Sequence, residues 1–177
     1  MDKITLQRIE TAHPVLRNEL KKMYAEMCEA VKGRAIVRFA YVLRTFKEQD
    51  DLYAIGRTLP GKKVTNAKGG DSYHNYGLAF DIVLLKDTDG NGTYETASWE
   101  TNVDFDGDGV ADWQEVVMIA KKYGYAWGGS WTKFPDMPHF EKTFGYTVAV
   151  LRTMVSNPSV SPYPIIPSDL VRQKVVA

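Results

Sequence analysis

Apolar residues Ile9, Leu16, Leu20, Met23, Met27 and Ala30 recur at intervals of three, four and seven. That spacing predicts a helix over residues 5–32, interrupted early by Pro14 and closed by Gly33. The β-branched and aromatic run AIVRFAYVLR (35–44) predicts a strand. Helical spacing returns at Phe46, Leu52 and Ile55, with Gly56 suited to a C-terminal end. LPGKKVTNAKGG (59–70) predicts a surface loop, and HNYGLAFDIVLL (74–85) a buried strand in which Gly77 marks a close approach of backbone. Asp, Gly, Asn and Thr then dominate an insert at about 86–112, before a helix over WQEVVMIAKKYG (113–124). YAWGGSWTKFPDMPHFEKTFG (125–145) reads as a short strand and turns. The residues after Asn157, with Pro158, Pro162, Pro164 and Pro167, read as an extended tail over 158–177. The order of helices and strands, with long connections and no internal repeat, predicts an α+β domain over 1–157.

Composition narrows the function classes. A chain of 177 residues suits one domain with a proper core. Lys+Arg and Asp+Glu are both 22, which leaves no basic excess for nucleic acid or an anionic membrane. No apolar run approaches the roughly 20 residues that span a bilayer. The single cysteine, Cys28, excludes an internal disulfide and falls in the apolar pattern of the first helix, as a buried structural thiol would. MDKITLQRIE lacks the pattern of a secretory signal peptide.

The chemistry concentrates around two of the three histidines. In DSYHNYGLAFD, His74 and Asp81 stand seven positions apart around Gly77, and DMPHFE places His139 three residues after Asp136. If His74 and Asp81 lie along one strand, two imidazoles and a carboxylate form a three-ligand tetrahedral zinc site with the fourth position left for water. Asp136 is then placed as a general base. Pattern alone leaves a metal centre and hydrogen-bonded core histidines equally open. His13, in TAHP, reads as an ordinary helix residue. A second cation site is suggested by DFDGDGVADWQE, which fits the calcium loop D-x-D-x-D-G-x5-E. Its ligands are Asp104, Asp106, Asp108, the Val110 carbonyl, Asp112 and Glu115. ASWETNV is a poor entering helix, so the expectation is a loop-helix site. DTDGNGTYE offers Asp87, Asp89 and Asn91 but has Ser98 where the loop needs glutamate. Trp127, Trp131, Phe134 and Phe140 surround the second histidine motif, as core or, for Trp131, as a wall for substrate.

SYHNYGLAFD resembles the S-x-H-x-x-G-x-A-x-D signature of the VanY-like zinc peptidases, and DMPHFE their second histidine box. RTFKEQDDLYAIGRT is similar to the segment that precedes the signature in the endopeptidase branch. The resemblance runs from about Leu6 to Leu151. It implies a small antiparallel sheet with helices packed on it, as in the hedgehog and D-alanyl-D-alanine peptidase folds. It also implies zinc on His74, Asp81 and His139, Asp136 as the base, and Arg44 on the oxyanion. Gln49 and Ser72 would line the cleft with Trp131. Ser130 departs from the acidic or amide residue that often follows W-G-G in the family. The implied substrate is the peptidoglycan stem peptide, cut by a monomeric L-alanyl-D-glutamate endopeptidase of endolysin type; a D-alanyl-D-alanine carboxypeptidase is the alternative. A non-catalytic zinc- and calcium-binding module is the rival from another class, and Asp136 with Arg44 argues against it. Action at the cell wall would then need release by a phage-type route, or a leader already trimmed.

Overall fold

A computed structural model describes residues 1–171. Its centre is an antiparallel five-stranded sheet in the order β1 (Ile36–Tyr41), β2 (Ala79–Lys86), β5 (His139–Glu141), β4 (Ala126–Trp127). β3 (Thr96–Ser98) pairs the far end of β2. Helices α1 (Lys3–Ile9), α2 (Arg17–Ala30) and α4 (Asp112–Lys122) cover one face. α3 (Phe46–Ala54) follows β1, started by a capping box between Thr45 and Glu48. α5 (Val148–Met154) was not evident from the residue pattern, and α6 (Ser168–Val171) lies in the Pro-rich tail. No helix among the described residues is long and apolar enough to cross a membrane.

The sheet register is fixed by aromatic side chains. Phe39 stacks on Phe80 at 4.4 Å between ring centroids, and Phe80 on Phe140 at 5.1 Å. All three are essentially fully buried. Burial of such a ring is worth about 1.5–3 kcal/mol, and each aromatic pair adds about 0.5–1.5 kcal/mol. Because strand side chains alternate, placing Phe80 and Phe140 in the core sends their neighbours Asp81, His139 and Glu141 to the opposite face. A slip of one residue would bury the carboxylates and expose the rings.

Two expected elements differ. The helix over 5–32 is two helices, because Pro14 begins a 3-10 turn (Pro14–Leu16) for which His13 is the N-cap. The strand expected from residue 74 begins at Ala79. Residues Tyr73–Tyr76 form a 3-10 turn closed by Gly77 at φ 66. Ser72 and Asn75 cap that turn reciprocally, which stabilises it over an extended conformation. A Cβ on Gly77 would stand 2.6 Å from the His13 nitrogen, so both the left-handed backbone and the close approach require glycine. Cys28 is half-buried, and burial pushes its thiol pKa up.

The described part of the tail returns to the domain, and residues 172–177 of the expected extended tail lie outside the described residues. Tyr163 donates its hydroxyl to the Thr11 carbonyl at 3.0 Å, and Ile166 is buried. His13, expected as an ordinary helix residue, is the buried anchor. Its Nε2–H donates to the Pro164 carbonyl at 2.7 Å while Nδ1 accepts the Val15 N–H at 3.4 Å. Both ring nitrogens are used in the neutral form. Burial lowers the His13 pKa; the Pro164 carbonyl opposes this and Arg17 adds to it. The unfolded chain, with histidine at about 6.5, therefore binds more protons than the folded one as pH falls. Stability from this clasp is present above that pH and is lost on acidification. Thermal melts at pH 7 and pH 5 should show a larger fall for the wild type than for H13Q, whose amide cannot titrate. Equal falls would contradict this reading of the clasp.

Candidate metal centre and cleft

Three elements meet at one point on the open face of the sheet. The 3-10 turn carries His74, β2 carries Asp81, and β5 carries His139. Asp81 and His139 are direct partners across the antiparallel pair, so their side chains leave the sheet side by side. His74 is not on the strand with Asp81, contrary to the sequence expectation. The chain reverses at Gly77, and that reversal brings His74 back over Asp81. His74 Nε2 lies 3.1 Å from Asp81 Oδ1 and 3.2 Å from His139 Nδ1, and His139 Nδ1 lies 3.2 Å from Asp81 Oδ1. A tetrahedral zinc with ligands at 2.0–2.1 Å has edges of about 3.3–3.4 Å. The triangle and the donor set both fit that ion.

Each imidazole is held from behind. His74 Nδ1–H donates to the Val42 carbonyl at 2.8 Å, leaving Nε2 to face the centre. His139 presents the other nitrogen, Nδ1, and its Nε2 lies 2.9 Å from Glu141. In the metal-free chain, burial opposes ionisation of Asp81, yet His74 and His139 hold its carboxyl far below the usual range. Burial works against the His139 cation, but hydrogen bonds to Asp81 and Glu141 outweigh it and the ring is pushed up to about 9.

The centre opens on a cleft of about 980 Å³, lined among others by Arg44, Ser72, Trp131 and Asp136. Arg44 lies 3.6 Å from Asp81 and over the Tyr41 ring at 4.7 Å. Gln49, expected on the cleft wall, is fully buried behind Arg44. It accepts an Arg44 N–H at 2.8 Å and donates to the Ala67 carbonyl at 2.8 Å, so it orients the guanidinium. Ser72 lines the cleft while its hydroxyl accepts the His74 N–H at 3.3 Å. Asn75 was not anticipated. It is fully buried and donates to the Arg44 carbonyl at 2.9 Å, joining the histidine turn to the segment between β1 and α3. Trp131 stands 5.2 Å from the His139 ring and is partly exposed.

Asp136 is positioned by the W-G-G turn. Its N–H donates to the Gly128 carbonyl at 3.1 Å, and its own carbonyl accepts the His139 N–H at 3.2 Å. A Cβ on Gly128 would lie 2.5 Å from that carbonyl, which explains the first glycine. Burial, then the negative charge of Asp81, raises the Asp136 pKa; His139, His74 and Arg44 oppose this.

Sequence relatives place this chain among the zinc peptidases, and it belongs to the VanY-like family. A family model described as D-alanyl-D-alanine carboxypeptidase matches residues 65–142, the stretch containing His74, Asp81, Asp136 and His139. The chain is 45% identical over 129 residues to the peptidoglycan L-alanyl-D-glutamate endopeptidase CwlK of Bacillus subtilis, covering 73% of this chain and 72% of that protein. Among solved structures, the L-Ala D-Glu endopeptidase ChiX of Serratia marcescens matches with a TM-score of 0.48 at 19% identity, over 81% of this chain and 90% of that one.

The acidic insert gathers only part of the expected calcium set. Ligand atoms of Asp104, Asp106 and Asp108 come together at the surface. Asp112 and Glu115 stand apart from that group and are bound by Arg34, with Glu115 at 2.8 Å. The same guanidinium reaches Asp106 at 3.2 Å. The Val110 backbone is tied through its N–H to Asp108 at 2.8 Å. β3 and a loop stand where an EF-hand would have its entering helix. Asp112 is almost wholly buried, so Arg34 is its counter-charge. Removing one partner of a buried ion pair costs about 3–5 kcal/mol. R34M should lose about 3 kcal/mol in urea unfolding; a loss below about 1 kcal/mol would show that Asp112 is satisfied by other groups.

Proposed function

We propose that this chain is an L-alanyl-D-glutamate endopeptidase that cuts peptidoglycan stem peptides, with one zinc held by His74, Asp81 and His139. The observation that carries the reading is the triangle of ligand atoms in the wall of a cleft shared with Asp136 and Arg44. The identity to CwlK, over most of both chains, supports the choice of bond. Zinc, when bound, supplies Lewis acidity that polarises the scissile carbonyl and acidifies water. Asp136 takes the proton of the attacking water and passes it to the leaving amine as the C–N bond breaks. Its raised pKa suits both halves of that transfer. Arg44 donates to the oxygen on which negative charge develops, and Gln49 limits its motion.

Trp131 and Ser72 supply wall and polar contact for the stem peptide. Lys63 and Lys133 also line the cleft and bring positive charge to a substrate with free carboxylates. Every residue invoked comes from one chain, so a monomer contains a whole site. Its substrate places its action at the cell wall, outside the cytoplasmic membrane. For the insert, Asp104, Asp106 and Asp108 support a calcium contact weaker than a full six-ligand loop, with Arg34 serving Asp112 and Glu115. A modest rise in melting temperature at millimolar calcium, with zinc held constant, is expected; an unchanged value would assign the loop's cation role to Arg34 alone.

Digestion of purified sacculi tests the bond cleaved. New N-terminal D-glutamate is the expected product, whereas free D-alanine would replace this reading with the carboxypeptidase one. D136N should keep zinc and lose about 10²–10⁴-fold in turnover, since the amide cannot accept the proton. Normal turnover in zinc-loaded D136N would assign the base to another group.

A further inference from the structure

Glu141 takes no part in the mechanism described so far, yet its carboxylate lies against one of the three residues of the centre. It follows His139 by two positions on β5, so alternation puts both side chains on the cleft face, on either side of the buried Phe140. Its carboxylate lies 2.9 Å from His139 Nε2 and is only 13% exposed. The two imidazoles of the centre are therefore supported unequally. His74 donates to a neutral backbone carbonyl, whereas His139 donates to a carboxylate.

We infer that Glu141 is a positioning residue for the metal, fixing the tautomer and ring orientation that present His139 Nδ1 to zinc. A carboxylate can only accept at this distance, so it selects the form of the ring with hydrogen on Nε2 and a lone pair on Nδ1. It also strengthens that lone pair, because negative charge behind the ring favours electron donation through it. The pairing of β5 with β2 and β4, at Ala79 and Ala126, holds the Glu141 backbone. Orientation of the ligand thus costs little conformational entropy on metal binding.

This inference rests on the ligand assignment proposed above, and one experiment separates the two. Zinc affinity is measured on metal-free protein by competition with a chromophoric chelator, for the wild type, E141Q, E141M and H139A. Methionine fills a similar volume without accepting a hydrogen bond; the glutamine amide oxygen accepts it without the charge. E141M should bind zinc about 10–100-fold more weakly than the wild type, with E141Q between them. Unchanged affinity in E141M, or a loss that glutamine does not reduce, would overturn the role of Glu141. Wild-type affinity in H139A would overturn the ligand assignment itself. The unfolding midpoints of the metal-free variants, read in the same buffers, should stay close to the wild type. A midpoint lowered in E141M and E141Q alike, in step with the zinc loss, would mean that Glu141 acts on the fold and not on the ligand.

Discussion

Two nitrogens and a carboxylate oxygen are held 3.1–3.2 Å apart on a folded surface, and the structure depends on keeping them there. Lone pairs so close repel unless a proton or a cation lies between them. The protein opposes that repulsion with apolar packing on the other side of the sheet. The stack of Phe39, Phe80 and Phe140 sets the register of three strands, and the register alone decides that Asp81 faces His139. Packing and chemistry are two faces of the same residues, separated by one position along each strand.

The rest of the site is attached to this pair by close backbone contacts. Gly77 lets the 3-10 turn press against the start of the chain, so that His13, the tail and the His74 turn form one assembly. Gly128 lets the W-G-G turn touch the backbone of Asp136. Asn75 and Gln49, both fully buried, tie Arg44 to the histidine turn and to the loop after α3. Arg44 and Asp136 consequently enter the cleft from elements that cannot move independently of His74, Asp81 and His139. Such pre-set positions are what electrostatic stabilisation of a transition state requires.

Much of this was legible in the sequence because the chemistry sits in short local patterns. His74, Asp81, Asp136 and His139 lie in two compact motifs, and the fold brings His74, Asp81 and His139 together in one triangle. The geometry between them was less legible. A capped 3-10 turn, Ser72 to Gly77, precedes a strand without any apolar break, and residue pattern alone reads it as strand. Arg34 neutralises Asp112 and Glu115 across about eighty positions of sequence. No local signal announces a contact of that range. The same holds for the tail, whose prolines suggest an extended segment but do not reveal the His13 clasp. Glu141 did leave a trace, as the second outward position of the alternating triplet HFE.

The central claim is that His74, Asp81 and His139 together bind zinc. The zinc K-edge X-ray absorption spectrum of the loaded protein tests it most directly. A four-coordinate nitrogen and oxygen shell at about 2.0–2.1 Å, with the outer-shell scattering of two imidazoles, is the predicted result. A sulfur shell at about 2.3 Å would place the ion at Cys28, and scattering from one imidazole or none would likewise contradict the assignment.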